Sequence, residues 1–165
     1  MYQMQYWAEI QKLKAHAYYL EFYQMRCERI ELLISIILAI TSSASIGAWA
    51  IWKEAAMFWA GMIALSQVLS VIYKFLPFKA RIKPLAVASV ELSVLADDAE
   101  SDWYEVSEGL LTEKEINDKR FKLRKTKSAI MKSAFTGVSL PENSKLLAKA
   151  GLKMEAYFDS HYPRG

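Results

Sequence analysis

The sequence predicts an all-α membrane protein: a two-helix transmembrane hairpin, preceded by an N-terminal amphipathic helix and followed by a C-terminal cytoplasmic helical bundle. Three observations predict it. Leu32 to Trp52 reads LLISIILAITSSASIGAWAIW and contains no ionisable side chain. After only Lys53 and Glu54, a second apolar run follows, AAMFWAGMIALSQVLSVIYKFLPF. No segment alternates with period two, so strands are not expected. At a helical rise of about 1.5 Å per residue, twenty-odd residues cover a hydrocarbon core of roughly 30 Å. The expected boundaries are residues 1–30 for the first helix, 31–78 for the hairpin and 79–165 for the bundle.

The first helix carries Tyr6, Ile10, Leu13, Ala17, Leu20 and Cys27 on steps of mostly three and four, the spacing of one helix face. The run that follows has two readings, a membrane span or an unusually buried helix of a soluble core. The span is preferred because only Ser and Thr would serve as its polar stripe. A cleavable signal peptide fits poorly, because Lys12, Lys14, Arg26 and Arg29 and several glutamates precede the apolar run. Basic residues on both outer flanks, with Lys79, Arg81 and Lys83 after the second run, predict a two-pass membrane protein with both termini cytoplasmic. Trp49, Trp52 and Trp59 would mark the far interface. The single cysteine, Cys27, excludes an intramolecular disulfide and reads as a small buried thiol or an acylation site.

Beyond the hairpin, Ile82, Leu85, Leu92, Ala96, Ala99, Trp103 and Val106 follow a heptad spacing, with Ser89 in the one missing position. A helix is expected from about Pro84 to Ser107, ended by Gly109. Thr112 and Glu115 have the spacing of a capping box and open a helix to about Phe135. Gly137, Pro141 and Asn143 interrupt it, and a last helix uses Leu147, Ala150, Met154, Tyr157 and His161. Charge divides between two of these helices. Asp97, Asp98, Glu100 and Asp102 belong to an acidic one, and Arg120, Arg124 and Lys125 to a basic one. Acid can lie against base within one chain or between subunits. These seven residues are therefore candidates for partner or self-interaction. Direct nucleic-acid contact is disfavoured, because paired or solvated charge explains the basic run.

Within the two apolar runs, Ser35, Ala39, Ser43 and Gly47 recur every four residues, a small-residue ladder that admits close helix approach. One packing seam within the hairpin would explain it. Thr41, Ser42 and Ser45 lie partly off that seam, however, and Gln67, Ser70 and Lys74 share a face of the second run. These ten residues are candidates for pore lining or helix packing: if subunits assemble, Gln67, Ser70 and Lys74 with the Ser and Thr of the first run could line a polar pore; Lys74 alone could instead snorkel to the interface. Pro77 and Pro84 would break or kink the junction with the cytoplasmic helices.

Motifs for catalysis are missing: no HExxH, GxxxxGK[ST], GxGxxG or GxSxG occurs, and His16 and His161 lack metal-ligand spacing. No enzyme activity, metal or cofactor is expected. The amphipathic YWAEIQKLKAHAYYLEFYQMRCERIE running into a close apolar hairpin, with a helical tail, resembles the SLATT family. That resemblance implies a pore-forming effector of bacterial anti-phage defence, a two-pass protein that makes the bacterial inner membrane leaky when triggered. Its partners would be the lipid bilayer, further copies of itself, and a nucleotide-synthesising, nucleotide-sensing or reverse-transcriptase protein that triggers it. The alternative expectations are a scaffold that recruits a soluble partner through its charged helices, and a small transporter or accessory subunit.

Overall fold

A computed structural model describes residues 1–51, 56–75, 78–136 and 140–162; within these, the side chains of residues 41–51, 56, 59, 74, 78 and 79 are not described. The described chain is helical, with no strand: α1 (Tyr2–Ile51), α2 (Ala56–Phe75), α3 (Phe78–Ser107), α4 (Glu113–Ala134) and α5 (Ser144–His161). It forms two compact units, Met1–Gln24 with Lys83–Gly165, and Met25–Ile82.

α1 is one uninterrupted helix, where the sequence suggested a short helix followed by a separate span. The reason is local: no Gly or Pro occurs between Tyr2 and Ile46, so nothing breaks the hydrogen-bond ladder. Among the described residues no helix is long and apolar enough to cross a membrane, which overturns the transmembrane hairpin and the two-pass inner-membrane placement. A span needs about 20 predominantly apolar residues. α2 is interrupted by Ser66, Gln67, Ser70 and Tyr73. Trp52, the Lys53–Glu54 connection and Pro77 lie outside the described residues.

The first unit has an aromatic and aliphatic core. Tyr6, Ile10, Leu13, Ala17 and Leu20 of α1 are buried, as are Leu85, Leu92, Ala96, Ala99 and Val106 of α3, with Ser89 beside them. These are the two apolar faces that the spacing predicted. Burying one such aliphatic side chain stabilises by about 1.5–3 kcal/mol. Trp7 joins α1 to α3 and α5: its ring lies 4.8 Å from Trp103, 4.9 Å from Phe158 and 5.0 Å from Tyr162.

α3 starts earlier than expected, and Pro84 lies inside it rather than at its start. Proline removes one donor, the one that would reach the Ala80 carbonyl; the helix continues with that loss. Its other end follows the expectation. Leu110 N–H donates to the Glu105 carbonyl at 3.1 Å and Gly109 N–H to Val106 at 3.3 Å, while Gly109 adopts φ 70°. This Schellman arrangement needs a residue at ease in the left-handed region. Thr112 and Glu115 then form the capping box of α4, and the Asn143 side chain caps α5 by accepting from Leu146 N–H at 3.1 Å. Gly137 lies outside the described residues.

In the second unit Cys27 is buried, and burial pushes its thiol up. The Tyr73 hydroxyl of α2 donates to Glu31 of α1 at 3.3 Å. Apart from these, both helices carry many exposed apolar side chains.

Candidate functional site

Three arrangements could carry function: a polar network inside the first unit, the charged faces of α3 and α4, and the apolar surface of the second unit.

The network centres on Lys14. Positions 10, 13, 14 and 17 share one helix face, so Lys14 accompanies the core residues and is itself buried. Its Nζ donates to Asp97 at 2.7 Å and to Glu100 at 3.4 Å, and lies 4.1 Å from the centre of the Tyr157 ring. Burial opposes this charge, but hydrogen bonds to Asp97 and Tyr157 outweigh it and raise the ammonium pKa. Glu100 also accepts from the hydroxyls of Tyr157, at 3.1 Å, and Tyr162, at 3.0 Å. Burial and Glu100 push Tyr162 up to about 12. Burial and Asp102 likewise raise Tyr6, whose hydroxyl donates to the Ala99 carbonyl. The cation therefore stays charged and the phenols stay neutral near pH 7. Such a network fixes how α1, α3 and α5 pack, and offers no activated nucleophile or base.

The acidic and basic helices meet within one chain. Lys119 pairs with Asp102 at 2.9 Å and with Glu105 at 3.6 Å. Arg124 reaches across to Glu9, its Nε donating at 3.0 Å, and this bond holds the Glu9 carboxyl below the usual range. Arg120 is half-buried, with its Nε unpartnered and its guanidinium 5.6 Å from the Phe121 ring. Asp97 is engaged by Lys14, whereas Asp98 and Lys125 are exposed. Of the seven interaction candidates, most are thus occupied or partly enclosed inside the first unit.

The ten residues proposed to line a pore divide differently. Ser35 and Ala39 lie exposed on α1, Gln67 is exposed on α2, and Ser70 is half-buried there. Thr41, Ser42, Ser43, Ser45 and Gly47 are in α1, but their side chains, like that of Lys74, lie outside the described residues. Among the described residues no helix is long and apolar enough to cross a membrane, so no membrane pore is described for these residues to line. What the second unit does present is apolar surface: Leu33, Ile36 and Ile40 on α1, and Leu65, Val68 and Phe75 on α2, are all exposed. Met57 and Phe75 show it most, at 89% and 81%.

Sequence reasoning missed the joint role of Lys14, Tyr157 and Tyr162 around Glu100. The available signal was a lysine on an apolar helix face; the partners, more than 80 residues away, gave none. Compared with protein families, curated proteins and solved structures, the chain matches none.

Proposed function

We propose that this chain is a self-assembling helical module in which the second unit supplies the surface between copies and the first unit is a stably packed bundle. The observation that carries it is the exposed apolar surface of α1 and α2. Apolar exposure on this scale marks an interaction surface, and each Å² covered contributes about 25 cal/mol. A second copy is the occupant we favour, because Leu33, Ile36 and Ile40 of α1 and Leu65 and Val68 of α2 are all apolar, so the surface of one copy is chemically matched by that of another. A two-fold interface sets the same patch of each copy against the other. The proposal keeps the assembly part of the sequence expectation and leaves the permeabilising part, which required membrane spans.

Sedimentation equilibrium over a range of concentrations tests it, comparing wild type with Leu65→Glu/Val68→Glu. Wild type should associate, and the double variant should remain monomeric at concentrations at least about tenfold higher, with unchanged helical circular dichroism. Identical sedimentation of the two would refute the proposal. A second reading, recruitment of an acidic partner by α4, is favoured by Lys122 and Lys125. Both are exposed and join no ion pair among the described residues. Charge reversal at both would release that partner and leave self-association unchanged.

A further inference from the structure

The first unit contains a cleft of about 530 Å³ between α1, α4 and the segment leading into α5. Small-molecule sites typically enclose about 300–1,000 Å³ and combine apolar walls with a few convergent polar groups. Here Ala15, Met131, Leu140 and Leu147 form apolar walls. Tyr19 adds an aromatic face, fixed because its hydroxyl donates to the Pro141 carbonyl and accepts from Asn143 N–H, each at 3.1 Å.

The polar groups are mostly nitrogen. Lys127 lies on the same face of α4 as buried Leu123, is half-buried, and forms no ion pair among the described residues. Burial pushes its ammonium pKa down; the attraction of Glu9 acts against this. Glu9 itself is already engaged by Arg124, and by Lys12 at 3.8 Å. Lys127 is therefore a partly dehydrated cation, and Glu9, the carboxylate that attracts it, serves two others. His16, also lining the cleft, makes no hydrogen bond among the described residues and is pushed down to about 4 by burial and by Lys127. It is neutral at pH 7, with one nitrogen able to donate and one to accept. Lys12 lies exposed at the rim, and Glu142 contributes the single carboxylate among the lining residues.

We propose that this cleft binds a small organic carboxylate with a flat apolar body, the body seated between Tyr19, Met131 and Leu147 and the carboxylate meeting Lys127 and His16. A monoanion matches the balance of two lysines against Glu142. A charge-assisted bond to Lys127 would supply the neutralisation that Glu9 does not. This site is independent of the surface proposed for self-association.

Isothermal titration of the full-length chain with indole-3-acetate, and with tryptamine as the cation of similar body, tests the proposal. Indole-3-acetate should bind one per chain, at least about tenfold more tightly than tryptamine. Lys127→Met should weaken it by about tenfold or more, and Lys127→Arg should retain it within about threefold. Met131→Trp, which fills the cleft, should abolish it; this separates the cleft from adsorption on the apolar surface of α2, which that change leaves intact. Circular dichroism checks that each variant is folded. Equal binding of tryptamine, undiminished binding by a folded Lys127→Met or Met131→Trp variant, or no binding by wild type at millimolar indole-3-acetate would each overturn the assignment.

Discussion

Leu20 and Leu65 are the same side chain on the same kind of element, yet one is 0% exposed and the other 65%. Leu20 belongs to a unit in which apolar faces of α1 and α3 close on one another, with α5 held by Trp7 and the Glu100 hydroxyl contacts. Leu65 belongs to a unit in which two apolar helices keep most of their side chains outward. The difference lies in what each helix has beside its apolar residues. α1 near Leu20 and α3 offer Lys14, Asp97 and Glu100, polar groups that find one another and leave the apolar stripe to be covered. α2 near Leu65 has only Ser66, Gln67 and Ser70, and the Ser66 hydroxyl is turned back onto the Ile63 carbonyl at 2.8 Å. A polar contact that ties α2 to α1, Tyr73 to Glu31, lies about two turns from Leu65.

The largest expected effect separates the two leucines directly. Leu20→Ala should destabilise the protein by about 2–5 kcal/mol, from lost transfer energy and the cavity left behind. Leu65→Ala should change monomer stability by no more than about 0.5 kcal/mol, because it removes surface that water already reaches. Urea unfolding of both variants at low protein concentration measures this. Equal destabilisation would mean that Leu65 is covered within one chain, and would collapse the contrast.

Next in size is a pH effect confined to the first unit. The folded pKa of His16, about 4, lies below its ordinary value of 6.5. Between those values the unfolded chain binds a proton that the native chain excludes, so stability falls as pH is lowered from 6.5 towards 4. The loss should reach about 1–2 kcal/mol by about pH 5, allowing for the partial exposure of the ring. Urea midpoints at about pH 7 and about pH 5 should therefore differ more for wild type than for His16→Gln. Glu9, held below the usual carboxylate range by Arg124, keeps its contribution until lower pH and loses it as its own carboxyl protonates.

How far the sequence could foresee this contrast depends on whether the signal was local. The stripe from Tyr6 to Leu20, its partner from Leu85 to Val106, the Gly109 stop and the Thr112 capping box are set by residues within one or two turns, and all appear as read. Lys14 between Leu13 and Ala17 was visible as an anomaly, but its partners Asp97 and Tyr157 come from other helices. Trp7 meeting Phe158 and Tyr162 joins positions some 150 residues apart, which periodicity does not encode. Pro84 looked like a boundary and is not one. The apolar runs from Leu32 and from Ala55 were read as spans because apolar composition looks alike whether lipid or protein covers it. Nor could the sequence assemble the cleft. His16 comes from α1 and Lys127 from α4, two helices far apart in the chain.

A smaller effect sharpens the comparison at the joint between α3 and α4. Thr112→Ala removes the side-chain oxygen that accepts from Glu115 N–H at 3.3 Å, and with it half of the capping box. The expected cost is about 1 kcal/mol. It should appear in thermal unfolding of the first unit and leave self-association unaltered. A change in sedimentation at unchanged stability would mean that the α3–α4 connection takes part in contacts between copies.

The smallest expected effect concerns the ion pairs that first suggested how α3 and α4 meet. Lys119 and Lys14 each face two carboxylates, but the Lys119 side chain is 30% exposed and the Lys14 side chain 8%. Water screens the first more than the second. Lys119→Ala should therefore cost only about 0.2–1 kcal/mol, and adding about 1 M salt should erase most of it, since the screening length then shrinks to about 3 Å. Unfolding measured at low and high salt checks both statements. A cost that persists in salt would place Lys119 in the same class as Lys14, and charge would then be a determinant of how the first unit closes, rather than a guide to the register in which its helices meet.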